Sequence, residues 1–331
     1  MKSKILPFAI LLCVFAKAQE KEQLKENVKT AVTERFPSTR FLDFQYQQYL
    51  PTDFDSELFD RAFEEGEIKN HYRFNANSNF VVFSKPRWSI TTSLNYKYEA
   101  FELNDVENVA GDAIAPYDKK IDFHYLSATL SFTYFARLFN KPFIYNASLT
   151  ADGSEKDIER LKGFIGATII LKKTERTTIG VGALVFIDPA SPVPVAPTFM
   201  MEHRFQNSPW ILDLILPQRL LFHRPVSENG KFSIGTELNG DGFYVYNNNV
   251  PGFADVYDYR ILELRSGLTY EHHINKTIIA TFKTGLSTVF NSRLSERGEN
   301  TNDYIFSTKQ DGTGYFNIGI SFMPDFKKKK N

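Results

Sequence analysis

A set of ionisable side chains occupies alternate positions in stretches where the intervening residues are apolar. These side chains are His71, Arg73, Lys97, Glu99, Glu202, Arg204, Glu237, Glu263, Arg265 and Lys283. Side chains of both signs on one face could line a mixed-charge pore, or they could pair as internal salt bridges that fill and brace an interior. Because the signs are nearly balanced, a pore lined by these residues is expected to be only weakly ion-selective.

The chain offers no arrangement typical of a hydrolase or a metal site. His124 precedes Ser127 by three residues, so their side chains point to opposite faces of a strand. His272 and His273 are adjacent and are therefore also opposed, and the other histidines lack metal-ligand spacing. The sequence therefore predicts no catalytic residue, no cofactor and no metal. A membrane lipid hydrolase remains only as a less favoured hypothesis.

Three glycine- or proline-rich segments could have special roles. Asp152–Ser154 and Asn239–Gly242 are acidic, but they lack the carboxylate spacing of a defined calcium loop, so ordinary turns are predicted. Segment 187–197, IDPASPVPVAP, contains four prolines, which stiffen it toward an extended conformation. This segment is expected to be either a stiff outer loop or an inward constriction.

The candidate residues lie in segments whose polarity alternates with a period of two, which predicts strands with one apolar and one polar face. In segment 71–83, His71 and Arg73 face one way, whereas Tyr72 and Phe74 face the other. The alternation recurs in segments 88–99, 126–134, 262–271, 278–290 and 315–322. Several of these segments reach the roughly 9–11 residues that a membrane-spanning strand needs.

Short and long connections alternate along the chain, which is typical of outer-membrane barrels with periplasmic turns and extracellular loops. The predicted long loops are 51–69, 102–120, 153–161, 187–197, 239–256 and 291–313. Trp88 and Trp210 each follow a short turn that contains proline, so both are expected in an aromatic girdle at the periplasmic interface.

Together these patterns predict an all-β protein, a transmembrane antiparallel up-and-down β-barrel over residues 40–323. About fourteen strands are expected, or about twelve if the pair around Pro217 lies in one loop, since bacterial barrels have even numbers of strands. A secreted β-sandwich is the alternative outside the membrane, but sandwich strands are usually shorter.

Residues 1–18 are predicted to be a signal peptide. Lys2 and Lys4 precede the apolar segment 5–16, and Ala16-Lys17-Ala18 fits the cleavage pattern. Export would remove the only cysteine, Cys13. Residues 19–39 are then a periplasmic N-terminal arm, and residues 324–331 are a basic periplasmic tail.

The composition excludes several classes of protein. The 331 residues have a formal net charge of zero, which argues against a nucleic-acid binder. Aromatic residues make up 15% of the chain, far too many for a disordered protein. A single cysteine excludes a disulfide framework.

The stretch from His124 to Phe322 resembles an uncharacterised family of Gram-negative outer-membrane β-barrel proteins. The residues that carry the resemblance lie at 138–163 (LFNKPFIYNASLTADGSEKDIERLKG), 185–199 (VFIDPASPVPVAPTF), 202–219, 227–246, 291–306 and 311–322. The resemblance implies a barrel in the outer membrane of a Gram-negative bacterium, and it implies neither a substrate nor a catalytic residue.

The favoured function is a pore or transport channel for small solutes. The alternative is a closed barrel with a structural or surface-binding role through its long extracellular loops. The expected surroundings are outer-membrane lipid and lipopolysaccharide, and the barrel-assembly machinery is an expected partner. No nucleic-acid partner is expected.

Overall fold

The structure, a computed structural model, describes residues 40–109, 115–247 and 250–324. The predicted signal peptide and N-terminal arm, and residues 325–331 of the tail, lie outside these ranges. Every regular element in the described ranges is a β-strand. No helix among the described residues is long and apolar enough to cross a membrane.

Sixteen strands form one antiparallel sheet. They are β1 (Leu42–Tyr49), β2 (Thr52–Leu58), β3 (Arg61–Lys85), β4 (Trp88–Asn108), β5 (Tyr117–Leu138), β6 (Lys141–Gly153), β7 (Ile158–Lys173), β8 (Thr177–Ile187), β9 (Val195–Arg204), β10 (Ile211–Leu216), β11 (Arg219–Pro225), β12 (Gly230–Tyr246), β13 (Val256–His273), β14 (Ile278–Glu296), β15 (Tyr304–Gln310) and β16 (Thr313–Phe322). Sequence neighbours pair from β2 to β14, and β1 pairs with both β3 and β16, which closes the sheet into a barrel.

The strand count differs from the expectation of about fourteen because two membrane crossings are each divided in two. Tyr49 of β1 lies opposite His71, and Thr52 of β2 lies opposite Ile68, so the register on β3 continues through the interruption. β15 and β16 likewise keep one register on β14. The barrel wall therefore has sixteen strands, but the chain crosses it as often as the alternation pattern predicts.

The pair around Pro217 is formed by two strands, so the alternative of twelve is wrong. β10 pairs with β9 and β11, and Ile215 lies opposite Arg219 across the turn that contains Pro217. The sequence pattern is weak here because these strands have only six and seven residues.

Most of the predicted long loops are also corrected by the structure. The segments 51–69, 102–120, 239–256 and 291–313 are largely strand, as β3 with 25 residues and β5 with 22 illustrate. The apolar alternation ends where the outer wall leaves lipid, and a strand with two polar faces resembles a loop in sequence.

The two faces of the sheet have opposite character. Large apolar side chains of the outer face are exposed, such as Leu130 at 52% and Leu286 at 65%. Their inward neighbours are polar, and Ser287 is 2% exposed. An apolar exterior on a ring of paired strands suits a lipid bilayer, which solvates no free backbone groups. The chain is thus an outer-membrane β-barrel, and the predicted fold class is confirmed.

The wall is of unequal height. The periplasmic ends of β9, β10 and β11 align, because Ile211 lies opposite both Arg204 and His223. A barrel strand needs about 9–11 residues to cross the hydrocarbon. β10 and β11, with six and seven residues, therefore end short of the outer side of the membrane.

The lipid-facing assignment predicts the effect of a charge on each face of β5. Leu130→Arg is expected to lower the free energy of unfolding by about 2–4 kcal/mol, because it moves a charge into the hydrocarbon. Thr129→Arg is the matched control, since Thr129 faces the interior, where it bonds Thr150 at 2.8 Å. Urea unfolding in lipid vesicles measures both, and equal losses would contradict the assignment of faces.

Candidate functional site

The interior is crossed at mid-height by a group of buried charges centred on Arg73. Arg73 Nη2 donates to Glu99 Oε1 at 2.7 Å, and Arg73 Nη1 lies 3.0 Å from Asp241 and 3.6 Å from Glu263. Arg73 and Glu263 are each 2% exposed, and Glu99 is fully buried. Since these residues come from β3, β4, β12 and β13, the contacts join different parts of the barrel wall.

His71 and Lys97 complete this group, which we name the central cluster: His71, Arg73, Lys97, Glu99, Asp241 and Glu263. His71 Nε2 lies 2.8 Å from Glu99 Oε1, and its ring stacks between Tyr49 and Phe101 at centroid distances of 4.1 and 4.2 Å. Lys97 Nζ donates to Asp241 and, at 2.6 Å, to the carbonyl oxygen of Gly242. These contacts tie β4 to the upper part of β12.

The central cluster has two permanent cations for three carboxylates, and Arg265 at its edge supplies a third cation beside Glu263, but its hydrogen bonds are incomplete. Arg73 Nε, Glu99 Oε2 and Glu263 Oε2 are buried and have no hydrogen-bond partner among the described residues. The Oε2 atoms of Glu99 and Glu263 lie 3.7 Å from Lys97 and from Arg265, respectively. A buried charge network of this kind contributes little net stability but is costly when one partner is lost.

The upper part of β12 and β13 leaves the wall and crosses the interior. Phe243 and Tyr244 are consecutive, yet each is only 3% exposed, so both faces of the strand are covered. The Phe243 ring stacks on Phe123 of β5 at 3.7 Å and on Tyr259 at 4.9 Å. We name residues 240–246 and 256–262 the inner hairpin.

A second buried group lies on the other face of the inner hairpin. Asp152 accepts hydrogen bonds from Tyr125 at 2.8 Å, Lys162 at 2.5 Å and Tyr244 at 3.0 Å. Beside it, Arg160 Nη1 donates to Asp258 at 2.7 Å. With Asp188, 3.4 Å from Arg160, these residues form the upper cluster: Asp152, Arg160, Lys162, Asp188 and Asp258.

Two residues of the proline-rich segment reach the interior, whereas its four prolines are exposed, so most of the segment is an exposed loop between β8 and β9. Asp188 reaches Arg160 in the interior, and Ala190 is 2% exposed. The Ala190 carbonyl accepts a hydrogen bond from Thr301 Oγ1 at 2.7 Å, so this loop is joined to the loop after β14. The two loops therefore meet at the extracellular end of the barrel.

The periplasmic half of the interior is lined differently. On the side formed by β3, β4 and β5, its inward side chains are small and uncharged and remain half-buried, as shown by Asn75, Asn77, Ser93, Asn95, Thr129 and Ser131. On the facing wall, Arg40 lies in the mouth, where it donates to Ser321 at 2.8 Å and to Glu271. We name this half the vestibule. Because its side chains keep part of their exposure, it is not filled, and it ends at the central cluster.

The structure brings together five of the ten residues singled out by sequence, His71, Arg73, Lys97, Glu99 and Glu263, with Arg265 at their edge. Glu237 and Lys283 form a separate inward pair at 3.3 Å. Glu202 and Arg204 lie 4.0 Å apart near the periplasmic end, where the Arg204 side chain is 59% exposed. Trp88 and Trp210 both follow turns at that same end.

Sequence reasoning missed Asp241 and the whole upper cluster. Asp152 and Asp241 were expected in turns, but Asp152 lies in β6 and Asp241 in β12. Both carboxylates are occupied by cationic or phenolic donors. Among the described residues, no three or more His, Cys, Asp and Glu side chains are grouped so that they could hold a metal ion. The signal that could have found Asp152 is its parity, because it lies opposite the inward residue Ser127.

The hydrolase hypothesis gains no support from the histidines that suggested it. His124 lies on the outer face, where its Nδ1 is 2.9 Å from Tyr96 Oη. Ser127, whose neighbours Leu126 and Ala128 are exposed to lipid, faces the interior. The two residues are on opposite faces, as the spacing predicts.

No protein-family model matches the sequence, and no curated protein matches it. Among solved structures, the toluene transporter TodX of P. putida is 11% identical, covering 85% of this chain and 89% of that chain with a TM-score of 0.37. An outer-membrane channel of Pseudomonas putida F1 is 11% identical, covering 87% and 97% with a TM-score of 0.35. The outer-membrane phospholipase A of Escherichia coli is 9% identical, covering 85% and 97% with a TM-score of 0.31.

These similar structures are of transport proteins and of one enzyme, and their TM-scores are too low to support an inference about what this chain does. The assignment of this chain as a barrel rests on its own strand pairing and on its exposed apolar exterior.

Proposed function

We propose that the protein is an outer-membrane transport barrel for small solutes, closed at rest by the central cluster and the inner hairpin. One observation carries this proposal: an unfilled, polar vestibule ends at a buried seal made of ion pairs. A barrel whose interior served only to pack side chains would not require a vestibule whose polar side chains remain partly exposed.

The seal has the properties of a contact that can open. The inner hairpin pairs with β14 through β13, whereas above Leu238 the free edge of β12 has no partner strand among the described residues. Its attachments across the interior are side-chain contacts, which include those from Arg73, Lys97, Phe123, Asp152 and Arg160. Ion pairs can exchange partners or water at small cost, because their net contribution to stability is small.

The vestibule favours small polar solutes. Amide and hydroxyl side chains on its β3–β5 side offer hydrogen bonds, and the charges in its mouth, Arg40 and Glu271, are paired. The nearly balanced central cluster adds no strong field of one sign. A channel that opens through this cluster is therefore expected to discriminate by size more than by charge. No catalytic step is part of the proposal.

The runner-up is a closed barrel with a surface role. In its favour, the wall formed by β2 to β5 continues past the membrane and carries its own apolar cluster of Phe54, Ile68 and Val106. Such an organised projection could hold a partner, and no transport would then be needed.

Swelling of sugar-loaded liposomes separates the two proposals. Phe243→Ala removes the ring that stacks on Phe123 and is expected to speed the entry of small sugars about tenfold, with slower entry as sugar size rises. That factor corresponds to about 1.4 kcal/mol, and an aromatic pair contributes about 0.5–1.5 kcal/mol beyond its buried area. Phe54→Ala, in the other apolar cluster, is the matched control and should leave the rate unchanged.

Three outcomes are informative. Faster swelling with Phe243→Ala alone supports a sealed passage. No swelling with any variant, from barrels shown to be folded by heat modifiability, supports the closed barrel. Equal acceleration by both variants would mean general loosening of the fold and would count against the proposed seal.

A further inference from the structure

Two arginines lie directly opposite each other on the outer face of the sheet. Arg260 of β13, near the base of the inner hairpin, pairs with Arg293 of β14. Arg260 is two residues from the lipid-facing Leu262, so both arginines share the outer face with that leucine. Directly opposite side chains on neighbouring strands have Cβ atoms about 4.5–5.5 Å apart, and like charges at such positions are destabilising. This pair is therefore unfavourable unless a negative charge lies beside it.

Both arginines lie at the level of the outer headgroups. The stretch of β13 from Leu262 to His272 has the length of about 9–11 residues that a membrane crossing needs. On β14, Phe290 is 61% exposed to lipid and lies three residues below Arg293. At about 3.3 Å per residue, the arginines stand roughly 7–10 Å along their strands above the last lipid-facing side chains. A bilayer is about 30 Å thick in its hydrocarbon and about 40–45 Å with its headgroups, so this distance reaches the headgroup layer.

Arg293 is surrounded by neutral groups within the described part of the chain. Its Nη1 donates to Asn302 Oδ1 at 3.0 Å, and its guanidinium lies over the Tyr304 ring, 4.4 Å from the ring centroid. An aromatic ring attracts a cation but does not neutralise it. Asn302 takes one of the five N–H donors of the guanidinium, so the others can serve a ligand.

Arg260 is held in place by Asp258, but this carboxylate is shared. Arg260 Nε lies 2.8 Å from Oδ1, and Nη2 donates to Oδ2 at 2.9 Å. The same Oδ2 accepts a hydrogen bond from Arg160 Nη1 at 2.7 Å. The two arginines and the upper cluster together contain four cations and three carboxylates, which leaves one positive charge in excess. The Arg260 side chain is 28% exposed and that of Asp258 only 2%, so the surface presents the arginine.

Small residues flank the two arginines in the same row across the strands. Gly242 of β12 lies opposite Arg260, and Ser307 of β15 lies opposite Arg293. Neither neighbour carries a charge or a large side chain. A negatively charged group can therefore approach both guanidinium groups from outside the barrel.

We propose that Arg260 and Arg293 form a binding site for a phosphate group at the outer surface of the membrane. Two adjacent arginine forks match the several oxygen atoms of a phosphate, and guanidinium groups bind phosphate in bidentate form. Leu262 and Phe290, directly below, suit the acyl chains of a phosphate-bearing lipid, and the same donors would also hold a dissolved phosphate. The site goes beyond the proposed function, since binding to it requires no opening of the barrel.

Native mass spectrometry of the folded barrel in a non-ionic detergent tests the site, with diphosphorylated lipid A as the probe. Arg293→Gln removes one of the two guanidinium groups and is expected to weaken lipid A binding at least about tenfold. Arg293→Lys keeps the charge but loses the planar fork, so it should weaken binding by a smaller factor. Equal affinity of the wild-type protein and Arg293→Gln overturns the site.

Arg224→Gln is the matched control. Arg224 also lies over an aromatic ring, 5.7 Å from the centroid of Trp210, but at the periplasmic end of the barrel. This variant should bind lipid A as the wild-type protein does. An equal loss with Arg224→Gln and Arg293→Gln would show a general attraction of cations for phosphate, and it too would overturn the site.

Competition by inorganic phosphate separates the two sources of the ligand. If inorganic phosphate displaces lipid A from the wild-type barrel, the site recognises phosphate alone. If lipid A stays bound, the acyl chains contribute and the ligand is a lipid of the outer leaflet. Both outcomes support the site when binding depends on Arg293, and neither depends on whether the barrel swells liposomes.

Discussion

Replacing Lys97 with methionine and Asp241 with asparagine together is expected to give discrete conductance steps in planar bilayers where the wild-type barrel stays closed. Lys97 holds the inner hairpin through the Asp241 carboxylate and the Gly242 carbonyl. A hydrogen bond to a charged group contributes about 1.5–3 kcal/mol. Because about 1.4 kcal/mol is a tenfold change, open time should rise about 10- to 100-fold.

The matched control is the double variant Glu237→Gln with Lys283→Met. This pair also faces the interior, at 3.3 Å, but it does not touch the inner hairpin. It should leave the barrel closed. Reversal potentials of the opened variant should show weak ion selectivity, since both signs remain in the lumen. If the folded Lys97/Asp241 variant gave no conductance steps, the inner hairpin would be a fixed part of the barrel.

Arg73→Met is expected to cause the largest loss of stability of any single change in the interior. Arg73 is the cation shared by Glu99, Asp241 and Glu263, and it is 2% exposed. Removing one partner of a buried charge network costs about 3–5 kcal/mol, because the remaining charges stay buried without compensation. Urea unfolding in lipid vesicles, followed by heat modifiability on gels, measures the loss.

Rescue by a second change identifies the cause. Adding Glu99→Gln to Arg73→Met removes one of the uncompensated charges and should recover part of the lost stability. Adding Glu202→Gln, an acid near the periplasmic end, should recover none. Equal rescue by both would show that net charge of the barrel, and not local pairing, controls its stability.

The transmembrane part of this fold could be predicted because lipid imposes a simple rule. On β13, Leu268 and Tyr270 are exposed, whereas Glu263 and Glu271 are buried. The alternation of apolar and polar residues in the sequence predicts which of these side chains face lipid. The same rule put His71, Arg73, Lys97 and Glu99 on one interior face. The rule could not predict which of these side chains contact one another, because contacts across a lumen depend on the curvature of the whole sheet.

The inner hairpin and the upper cluster escaped prediction for a different reason. Once β12 leaves the wall, both of its faces are buried, so Phe243 and Tyr244 break the alternation that marks a strand in lipid. Glycines at 240 and 242 then make the segment resemble a turn. Arg160 and Asp258 lie far apart in sequence and meet only because the hairpin crosses the interior to β7.

The unequal height of the wall has a consequence for the lipids around the barrel. Beside β3 and β4 the wall, with strands of 25 and 21 residues, spans a full bilayer, whereas beside β10 and β11 the strands have six and seven residues. Bilayers respond to such mismatch by thinning, at a cost of a fraction of a kcal/mol per Å, or by tilting the protein. Where the bilayer responds by thinning, we expect the acyl chains beside β10 and β11 to be shorter and less ordered than those beside β3 and β4. The barrel would then carry a patch of thin bilayer along one side as it diffuses in the membrane.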